Sequence, residues 1–493
     1  MSEIKTLLKQ SSHYFGGQII VMIGGFISFP ILTRIFSVDD YGILGLITTT
    51  IFIATAIGKF GLVSSVIRFY AEFKSDGRLG TFHTTMFIGS VGSAATIAIL
   101  FYGISQFFQG KLFDEKTVGL IPIVSTLIFM TCTIDILTSF LRAEQRTKLY
   151  NLVAIIRRYG SLLISIFLVL FVVKGLYGFY LGHALWGAVM LSFLLYISAK
   201  RERTSDLTFS SKLLGTSIKF GFPLIWTELG YLILNYVDRY LVQLYLGAIS
   251  LGIYVAGYNL ATYVTEIIVY SVSYAMTPIY MDILVNRGEE KTKEFFEKTF
   301  RYFLLIIFPV VFGFIAVAKD LISILATSKY LDAYPIMLYV VIAQSIYACS
   351  TFLNNGLVIK KKTYIYPYVI FAACLVNIGL NALLIPCFGI VGAAQATLLS
   401  NIFCAVMTTY YGFKEFSFGI DFQHIFVYLG AAAIMFLTVK TIHLSNQSFN
   451  LISEVLVGAV VYCLLVILFD AEIRGNLFRF LSTLKKGYEE KSI

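Results

Sequence analysis

SIKFGFPLIWTELGYLILNYVDRYLVQLYL, from Ser217 to Leu246, is the stretch that decides the fold of this chain. It is apolar and long enough to cross a bilayer, yet its interior carries Glu228, Asp238 and Arg239. At the centre of a lipid-facing helix each such charge costs roughly 2.5–3.5 kcal/mol on insertion scales. A spanning helix keeps these charges only where they face protein or a water-filled cavity, so the stretch is a candidate site.

The charges of this stretch share one side of the predicted helix. Glu228, Asn235, Arg239 and Gln243 follow one another at steps of seven, four and four residues, with Asp238 at the edge of the same side. Residues at such steps lie along one face of an α-helix. The surface that this face contacts is therefore polar.

The composition predicts an all-α polytopic membrane protein. Hydrophobic residues make up 58% of the chain, charged residues only 13%, and the mean hydropathy is +0.82, whereas about a quarter of the residues in a soluble domain are charged. The six cysteines show no CxxC or metal-ligand spacing, which indicates buried thiols rather than disulfides or zinc. We expect no cofactor and no bound metal cluster.

Apolar runs of spanning length predict about fourteen transmembrane helices. If the N-terminus is cytoplasmic, the cytoplasmic segments hold 27 Lys and Arg residues and the outer segments seven. This bias follows the positive-inside rule and places both termini in the cytoplasm. It also explains most of the net charge of +10 without a nucleic-acid partner. The predicted spans are 13–36, 41–71, 81–107, 118–142, 149–173, 176–199, 216–246, 248–279, 297–325, 334–358, 364–386, 389–413, 422–443 and 449–470.

The chain also repeats itself at a nearly constant offset of six spans. Because six is even, the two halves have the same orientation, which predicts two parallel six-helix bundles related by pseudo-two-fold symmetry, with the substrate site between them. We expect the first bundle in 1–205, the second in 206–415, and two additional helices with a cytoplasmic tail in 416–493. The corresponding positions are Thr147 and Thr363, Tyr150 and Tyr366, Gly175 and Gly389, Gly178 and Gly392, and Gly42 and Gly252.

Basic residues inside or at the ends of spans form the first candidate set: Lys59, Arg157, Arg158 and Arg239, with Arg34 at the outer end of the first span. One interpretation is that they line a cationic cavity and bind an anionic head group such as a diphosphate, on which Arg offers a bidentate fork. The alternative is that Arg157, Arg158 and Arg34 only extend to the membrane interface.

Acidic residues predicted inside spans form the second set: Asp135, Glu228, Asp238 and Glu266. They are candidates for binding a proton or Na⁺ that drives transport. The alternative is charge pairing, with Asp238 or Glu266 neutralising Arg239. Among the many tyrosines of the eighth span, Tyr258 and Tyr270 are candidate sugar contacts, although tyrosine in spans often belongs to interfacial belts or helix packing.

Several stretches together resemble the polysaccharide transporter family. They are FPILTRIFSVDDYGILGL from Phe29, the basic loop LRAEQRTKLYNL from Leu141, and FGFPLIWTELGYLILNYVDRYLVQLYLGAISLGIYVAGYNL from Phe220. With the 6+6+2 arrangement, they are similar to Wzx-type flippases of the multidrug/oligosaccharidyl-lipid/polysaccharide superfamily. The sequence shows no Walker A, GxSxG or HExxH signature, so an enzyme is not expected.

The resemblance implies a flippase of the bacterial inner membrane. Its substrate would be an undecaprenyl-diphosphate-linked oligosaccharide, a repeat unit of O-antigen, capsule or exopolysaccharide, moved by alternating access while the prenyl tail stays among membrane lipids. Polymerase and chain-length proteins of the same pathway are the implied partners. By resemblance, Asp238 and Arg239 match the family's Asp-Arg pair in the seventh span, and Arg34 matches the basic residue that ends the first.

Two other functions stay open at this point. An ion-coupled multidrug exporter of the same superfamily shares the architecture, but cationic drugs favour an acidic cavity, and the predicted first span holds no acid. A membrane polysaccharide polymerase needs a large catalytic loop outside the membrane, for which the predicted outer loops are too short.

Overall fold

A computed structural model describes residues 2–108, 115–201, 208–475 and Arg479 of the chain. Within these ranges every regular element is helical. The helices are α1 (Ser2–Ile35), α2 (Val38–Gly58), α3 (Leu62–Ser75), α4 (Leu79–Phe107), α5 (Glu115–Val118), α6 (Ile121–Ala143), α7 (Thr147–Phe171), α8 (Gly175–Arg201), α9 (Ser211–Ala326), a 3-10 turn (Ser328–Ala333), α10 (Tyr334–Leu353), α11 (Gly356–Ile359), α12 (Ile365–Glu415), α13 (Phe422–Val439) and α14 (Gln447–Phe469).

The long helix α9 is three spans in one continuous run. A straight helix of its 116 residues would be about 170 Å long, several times the thickness of a bilayer. The backbone leaves the helical conformation at Gly247 (φ 78°) and Gly288 (φ 82°). The chain folds back at both, since Tyr254 donates a hydrogen bond to Asp238 across the first glycine and the rings of Tyr280 and Phe296 lie 5.0 Å apart across the second. Gly389 (φ 59°) divides α12 in the same way.

The predicted number of spans is confirmed. Twelve helical stretches of the described chain are long and apolar enough to cross a membrane, and two of them, Ser211–Val269 and Ile365–Glu415, each hold two spans. In chain order, spans 1 to 14 are α1, α2, α4, α6, α7, α8, 211–246, 248–287, 289–326, α10, 365–388, 390–415, α13 and α14.

The second span differs from the sequence expectation, which made 41–71 one helix. It ends at Gly58, and the separate helix α3 begins at Leu62. Between them Phe60 (φ 49°) and Gly61 (φ 72°) have left-handed backbone conformations. A Cβ on Gly61 would clash with the backbone of Gly221 in span 7. The break therefore lets the backbone at Gly61 contact the backbone of span 7. Side chains on a continuous helix would prevent this contact.

The duplication appears in the backbone as well as in the sequence. Left-handed residues that end or join helices in the first half recur in the second half at offsets close to those of the sequence repeat. Because side chains disfavour this conformation, its recurrence marks equivalent turns. The pairs are Gly77 (φ 67°) with Gly288 (φ 82°), Gln145 (φ 59°) with Lys361 (φ 58°), and Gly175 (φ 79°) with Gly389 (φ 59°).

The two six-helix bundles meet at equivalent glycines near the predicted outer surface. A Cβ on Gly42 in span 2 would clash with the carbonyl oxygen of Ala248, and one on Gly252 in span 8 would clash with that of Val38. Here the bundles share one hydrophobic core, which includes Leu46 and Val255. Nearer the predicted cytoplasmic side each bundle also has a core cluster of its own.

Spans 13 and 14 are attached to span 9 by a buried charged cluster at the predicted cytoplasmic end. Arg301 of span 9 donates to Asp470 and to Glu472, both at 2.6 Å. Tyr428 of span 13 also donates to Asp470 at 2.6 Å. Burial alone would raise the pKa of Asp470, but hydrogen bonds from Tyr428, the Ile473 N–H and Arg301 outweigh it and lower this pKa to about 2.

We expect Asp470→Ala to destabilise the protein by about 2–3 kcal/mol. Breaking a buried ion pair costs about 3–5 kcal/mol, and Glu472 stays beside Arg301 to reduce that cost. Thermal unfolding in detergent, followed by intrinsic fluorescence, measures the effect. Because the pKa of Asp470 is lower in the folded state, its contribution is complete above about pH 4 and is lost as the pH falls towards 2.

Glu294→Ala is the control, since it removes an exposed pair with Lys291 and should leave the unfolding temperature unchanged. Equal unfolding temperatures for Asp470→Ala and the parent chain would contradict the proposed attachment.

Candidate functional site

Arg239 is the most deeply buried of the predicted basic residues, with 4% of its surface exposed. It lies in span 7 and donates to Thr49 in span 2 and to Asn259 in span 8, both at 3.1 Å. Its guanidinium also lies over the rings of Tyr236 and Tyr258, 4.7 and 5.5 Å from their centroids. The residue thus joins the two bundles through neutral partners. We call this contact of span 2 with spans 7 and 8 the seam.

Asp238, the neighbour of Arg239, points to different partners. Its carboxylate accepts hydrogen bonds from Tyr254 at 2.5 Å and Thr397 at 3.2 Å, and its Oδ1 has no hydrogen-bond partner although Asp238 is only 1% exposed. Within the described chain no carboxylate lies within ion-pair distance of Arg239. Two consecutive opposite charges are therefore buried separately, one on the seam and one inside the second bundle.

Further buried polar groups lie at the depth of Asp238. Asn381 and Thr397 are each eight residues from the turn at Gly389, and Asp238 is nine residues from the turn at Gly247, so all three lie about 12 Å from the predicted outer ends of their helices. Asn381 donates to Asn377 in the same span, and its own Oδ1 has no partner. Spans 7, 8 and 12 thus meet at Asp238, and span 11 carries a further buried oxygen with unused acceptor capacity at the same depth.

Lys59 and Glu228 form an ion pair across the seam. The Nζ–Oε1 distance is 2.5 Å, and the side chains are 17% and 46% exposed. Glu228 is 19 residues before Gly247, which places the pair about 28 Å from the predicted outer end of span 7. Beside it the backbones of Gly61 and Gly221 touch. The seam is thus closed at this level.

Arg157 forms its ion pair inside the first bundle, with Asp135 at 2.8 Å. Cys132, one helical turn before Asp135, contacts Gly58, so this pair lies near Lys59. Arg158 lies against Gly24 and Gly25 of span 1, and its Nε is buried without a hydrogen-bond partner. The first bundle therefore contributes three neighbouring cations, and the carboxylates of Asp135 and Glu228 each pair with one of them.

Arg34 lies apart from this group at the predicted outer surface. It donates to the carbonyl oxygens of Ile324 and Leu325, both at 2.6 Å. These carbonyls belong to the last turn of span 9, so Arg34 caps that helix and ties span 1 to the second bundle. In this conformation its guanidinium is hydrogen-bonded to these backbone carbonyl groups.

The remaining predicted residues are placed as follows. Tyr258 is buried against Arg239, and its hydroxyl accepts a hydrogen bond from Gln344. Glu266 is half-buried in span 8. The side chain of Tyr270 lies outside the described residues. Sugar contact by either tyrosine stays a prediction.

The neutral residues that hold the charges were missing from the sequence prediction. Thr49, Asn259 and Thr397 contact Arg239 or Asp238, but single threonines and asparagines are frequent in spans and give no local signal. Asn377 and Asn381 did offer one, since two amides four residues apart lie on one face of an otherwise apolar helix.

Comparison with known proteins identifies the family. The model of a family described as polysaccharide biosynthesis protein matches residues 31–335, well over half of the chain. The chain belongs to this family. It is 20% identical over 475 residues to the succinoglycan biosynthesis transport protein ExoT of Rhizobium meliloti, covering 92% of this chain and 91% of that protein. It is 22% identical to an uncharacterized membrane protein in the cps region of Klebsiella pneumoniae, covering 94% and 95%.

Solved structures show the same fold. The lipid II flippase MurJ in an inward closed conformation aligns with a TM-score of 0.75 and 17% identity, over 96% of this chain and 100% of that one. An inward-facing multidrug resistance MATE family transporter of the MOP superfamily aligns with a TM-score of 0.62 and 14% identity, over 82% and 94%. The predicted fold class is confirmed, and the family match above confirms the predicted polysaccharide family.

We expect cysteines placed at Lys59 and Glu228 to be joined by a short bifunctional thiol cross-linker in the purified protein, because the ends of these two long side chains meet across the seam. The six native cysteines are first replaced by alanine, since Cys132 lies beside this position. A protease site introduced between the bundles makes the cross-link visible as a gel shift.

Cysteines at Arg34 and Glu228 form the matched control pair. These positions lie near the predicted outer end and deep in the seam, so the cross-linker should not join them. Absence of a cross-link between the cysteines at Lys59 and Glu228 would show that the seam is open at this level.

Proposed function

We propose that this chain is a flippase that moves an undecaprenyl-diphosphate-linked oligosaccharide across the bacterial inner membrane, with both termini cytoplasmic, and that it is not an enzyme. The two halves, 1–205 and 206–415, would move against each other. The observation that carries the proposal is Arg239, a buried guanidinium at the seam with no carboxylate partner in the described part of the chain. The chain belongs to the polysaccharide biosynthesis family.

The proposed ligand of the basic residues is the diphosphate of the substrate. Among the described residues Arg239 and Arg158 have no ion-pair partner, so a diphosphate that reaches them need not displace a carboxylate. A guanidinium binds phosphate oxygens through two parallel hydrogen bonds. At low local dielectric this attraction is much stronger than in water. It would therefore offset the free-energy cost of removing the diphosphate from the water of the cytoplasm.

Lys59 would act as a second, exchangeable contact. In this conformation Glu228 neutralises it across the seam, and separating the halves breaks that pair. The diphosphate would then replace Glu228 as the partner of Lys59. This exchange avoids leaving an unpaired buried ammonium group, which would be costly, and it links substrate entry to opening of the seam.

Asp238 is the proposed site of the coupling ion. Its free Oδ1 and the hydroxyl of Thr397 are oxygen atoms of the kind that bind a hard cation, and Asn381 carries another free oxygen at the same depth. A proton on Asp238 would neutralise it equally well. The site lies between span 7, which carries both Asp238 and Arg239, and span 8. Binding of a cation or a proton there would therefore change the position of Arg239.

Replacement of Arg239 by Ala should slow translocation about tenfold or more. A lost hydrogen bond to a charged group is worth about 1.5–3 kcal/mol, and each 1.4 kcal/mol is a factor of ten in rate. The assay uses proteoliposomes with a fluorescent undecaprenyl-diphosphate oligosaccharide, whose protection from an external glycosidase reports its movement. Arg239→Lys should give an intermediate rate, because Lys keeps the charge and loses the fork.

Lys174→Ala, at an exposed site in the turn between spans 5 and 6, is the control and should translocate at the parent rate. The flippase proposal fails if folded Arg239→Ala protein translocates normally. It also fails if the parent moves no lipid-linked glycan but exports a cationic dye, the outcome expected for the multidrug exporter. Loss of the gene should make lipid-linked intermediates accumulate in cells, before the polymerase and chain-length proteins act.

Asp238→Asn should abolish the response of translocation to an ion gradient. The parent is assayed with a Na⁺ gradient at equal pH, and with a pH gradient in Na⁺-free buffer, and one of these should raise its rate. In Asp238→Asn the ratio of rates with and without that gradient should fall to about one. Asp320→Asn, a carboxylate of span 9 outside the site, should keep the parent ratio. A parent insensitive to both gradients would refute ion coupling.

A further inference from the structure

An apolar groove lies on the side of the second bundle, away from the seam. It has a volume of about 690 Å³ and is lined by residues of spans 9, 10 and 12, with almost no polar surface. Ile307 and Val311 form its floor, while Val406 and Tyr410 on its rim are each 60% exposed. None of its lining residues belongs to spans 1, 2, 7 or 8, so it is separate from the proposed substrate site.

The groove continues to the predicted cytoplasmic surface. A second hollow of about 400 Å³ shares Leu353, Thr409 and Tyr410 with the first and extends to Lys414 near the end of span 12. Its remaining lining residues are apolar. The two hollows therefore form one path, apolar inside the membrane and cationic where it reaches the surface.

The depth of the path matches one leaflet of a bilayer. Along span 10 the lining runs from Ile342 to Leu353, eleven residues or about 17 Å of helix. Half of the hydrocarbon core of a bilayer is about 15 Å thick. A chain that follows the groove from the surface thus ends near the membrane midplane, as the acyl chain of a lipid in that leaflet does.

Lys414 gives the mouth of the groove an available positive charge. Two lysines of the loop after span 10 are neutralised, since Lys362 pairs with Glu415 at 2.8 Å and Lys360 with Glu289 at 2.7 Å. Lys414 is exposed and has no carboxylate within ion-pair distance in the described chain. A lipid phosphate at the head-group level would complement this charge.

We propose that this groove binds one acyl chain of an anionic glycerophospholipid from the predicted cytoplasmic leaflet, with its phosphate on Lys414. The lipid is a structural ligand of spans 9, 10 and 12 and is not transported. The prenyl tail of the transported substrate is not the occupant, because the groove has no lining residue in common with the seam where its diphosphate would bind.

The test places a tryptophan in the groove by Tyr410→Trp and measures quenching by brominated phospholipids in reconstituted vesicles. The parent chain, with two tryptophans of its own, provides the background to be subtracted. Brominated phosphatidylglycerol should reach half-maximal quenching at about one fifth of the mole fraction needed for brominated phosphatidylcholine, since one lysine near the surface favours an anionic lipid about fivefold.

Two further changes in the Tyr410→Trp chain test the residues. Lys414→Ala should remove the preference for phosphatidylglycerol, whereas Lys212→Ala, an exposed lysine at the same predicted surface in span 7, should retain it. Cys349→Phe, which fills the groove, should reduce quenching by both lipids. If Cys349→Phe does not fold, the comparison of Lys414→Ala with Lys212→Ala still tests whether Lys414 binds the lipid phosphate.

Equal quenching by the two lipids in the parental tryptophan variant would overturn the proposal, as would a preference that survives Lys414→Ala. Undecaprenyl phosphate is added as a competitor at an equal mole fraction. If it restores the fluorescence, the groove binds prenyl chains and the proposal is wrong. If quenching by phosphatidylglycerol persists, the occupant is the bilayer lipid.

Discussion

The structure depends on how one guanidinium is kept out of water. A buried charge is normally paired with an opposite charge, but Arg239 is held by a hydroxyl, an amide oxygen and two aromatic faces. These groups belong to spans 2, 7 and 8. Span 2 of one bundle must therefore lie close against spans 7 and 8 of the other, and the glycines along span 2 permit that approach. A neutral set of partners also leaves the charge available to an anion.

The interior charges fall into two groups with different consequences. Lys59 and Arg157 each have a carboxylate partner, so binding an anion requires an exchange of partners. Arg158 and Arg239 have none within the described chain and need only be uncovered. The interior thus holds two cations without a carboxylate partner and two that are neutralised while the seam is closed, which limits the free-energy cost of burying four positive charges.

Hydropathy and the lysine-rich loops were sufficient to predict the number of spans, because a bilayer imposes length and apolarity on each helix. They could not predict the break of the second span at Gly61, since its cause is the backbone of Gly221, 160 residues later. The burial of Asp238 and Arg239 in protein was predictable, because charges are rare in spans and do not face lipid. Its pairing was not, because a helical wheel shows which side Glu228 occupies but not that Lys59 faces it.

The contact of Gly42 with the span that carries Gly252 has a consequence for how such a chain arises. Equivalent residues that touch across a two-fold axis are the mark of an isologous interface, in which one surface patch meets its own copy. A six-helix protomer with one glycine at this position would make the same contact in a homodimer. In a gene that fuses two copies, the contact depends on two separate codons, those of Gly42 and Gly252. A mutation that adds a side chain at either position would separate spans 2 and 8 at their outer ends.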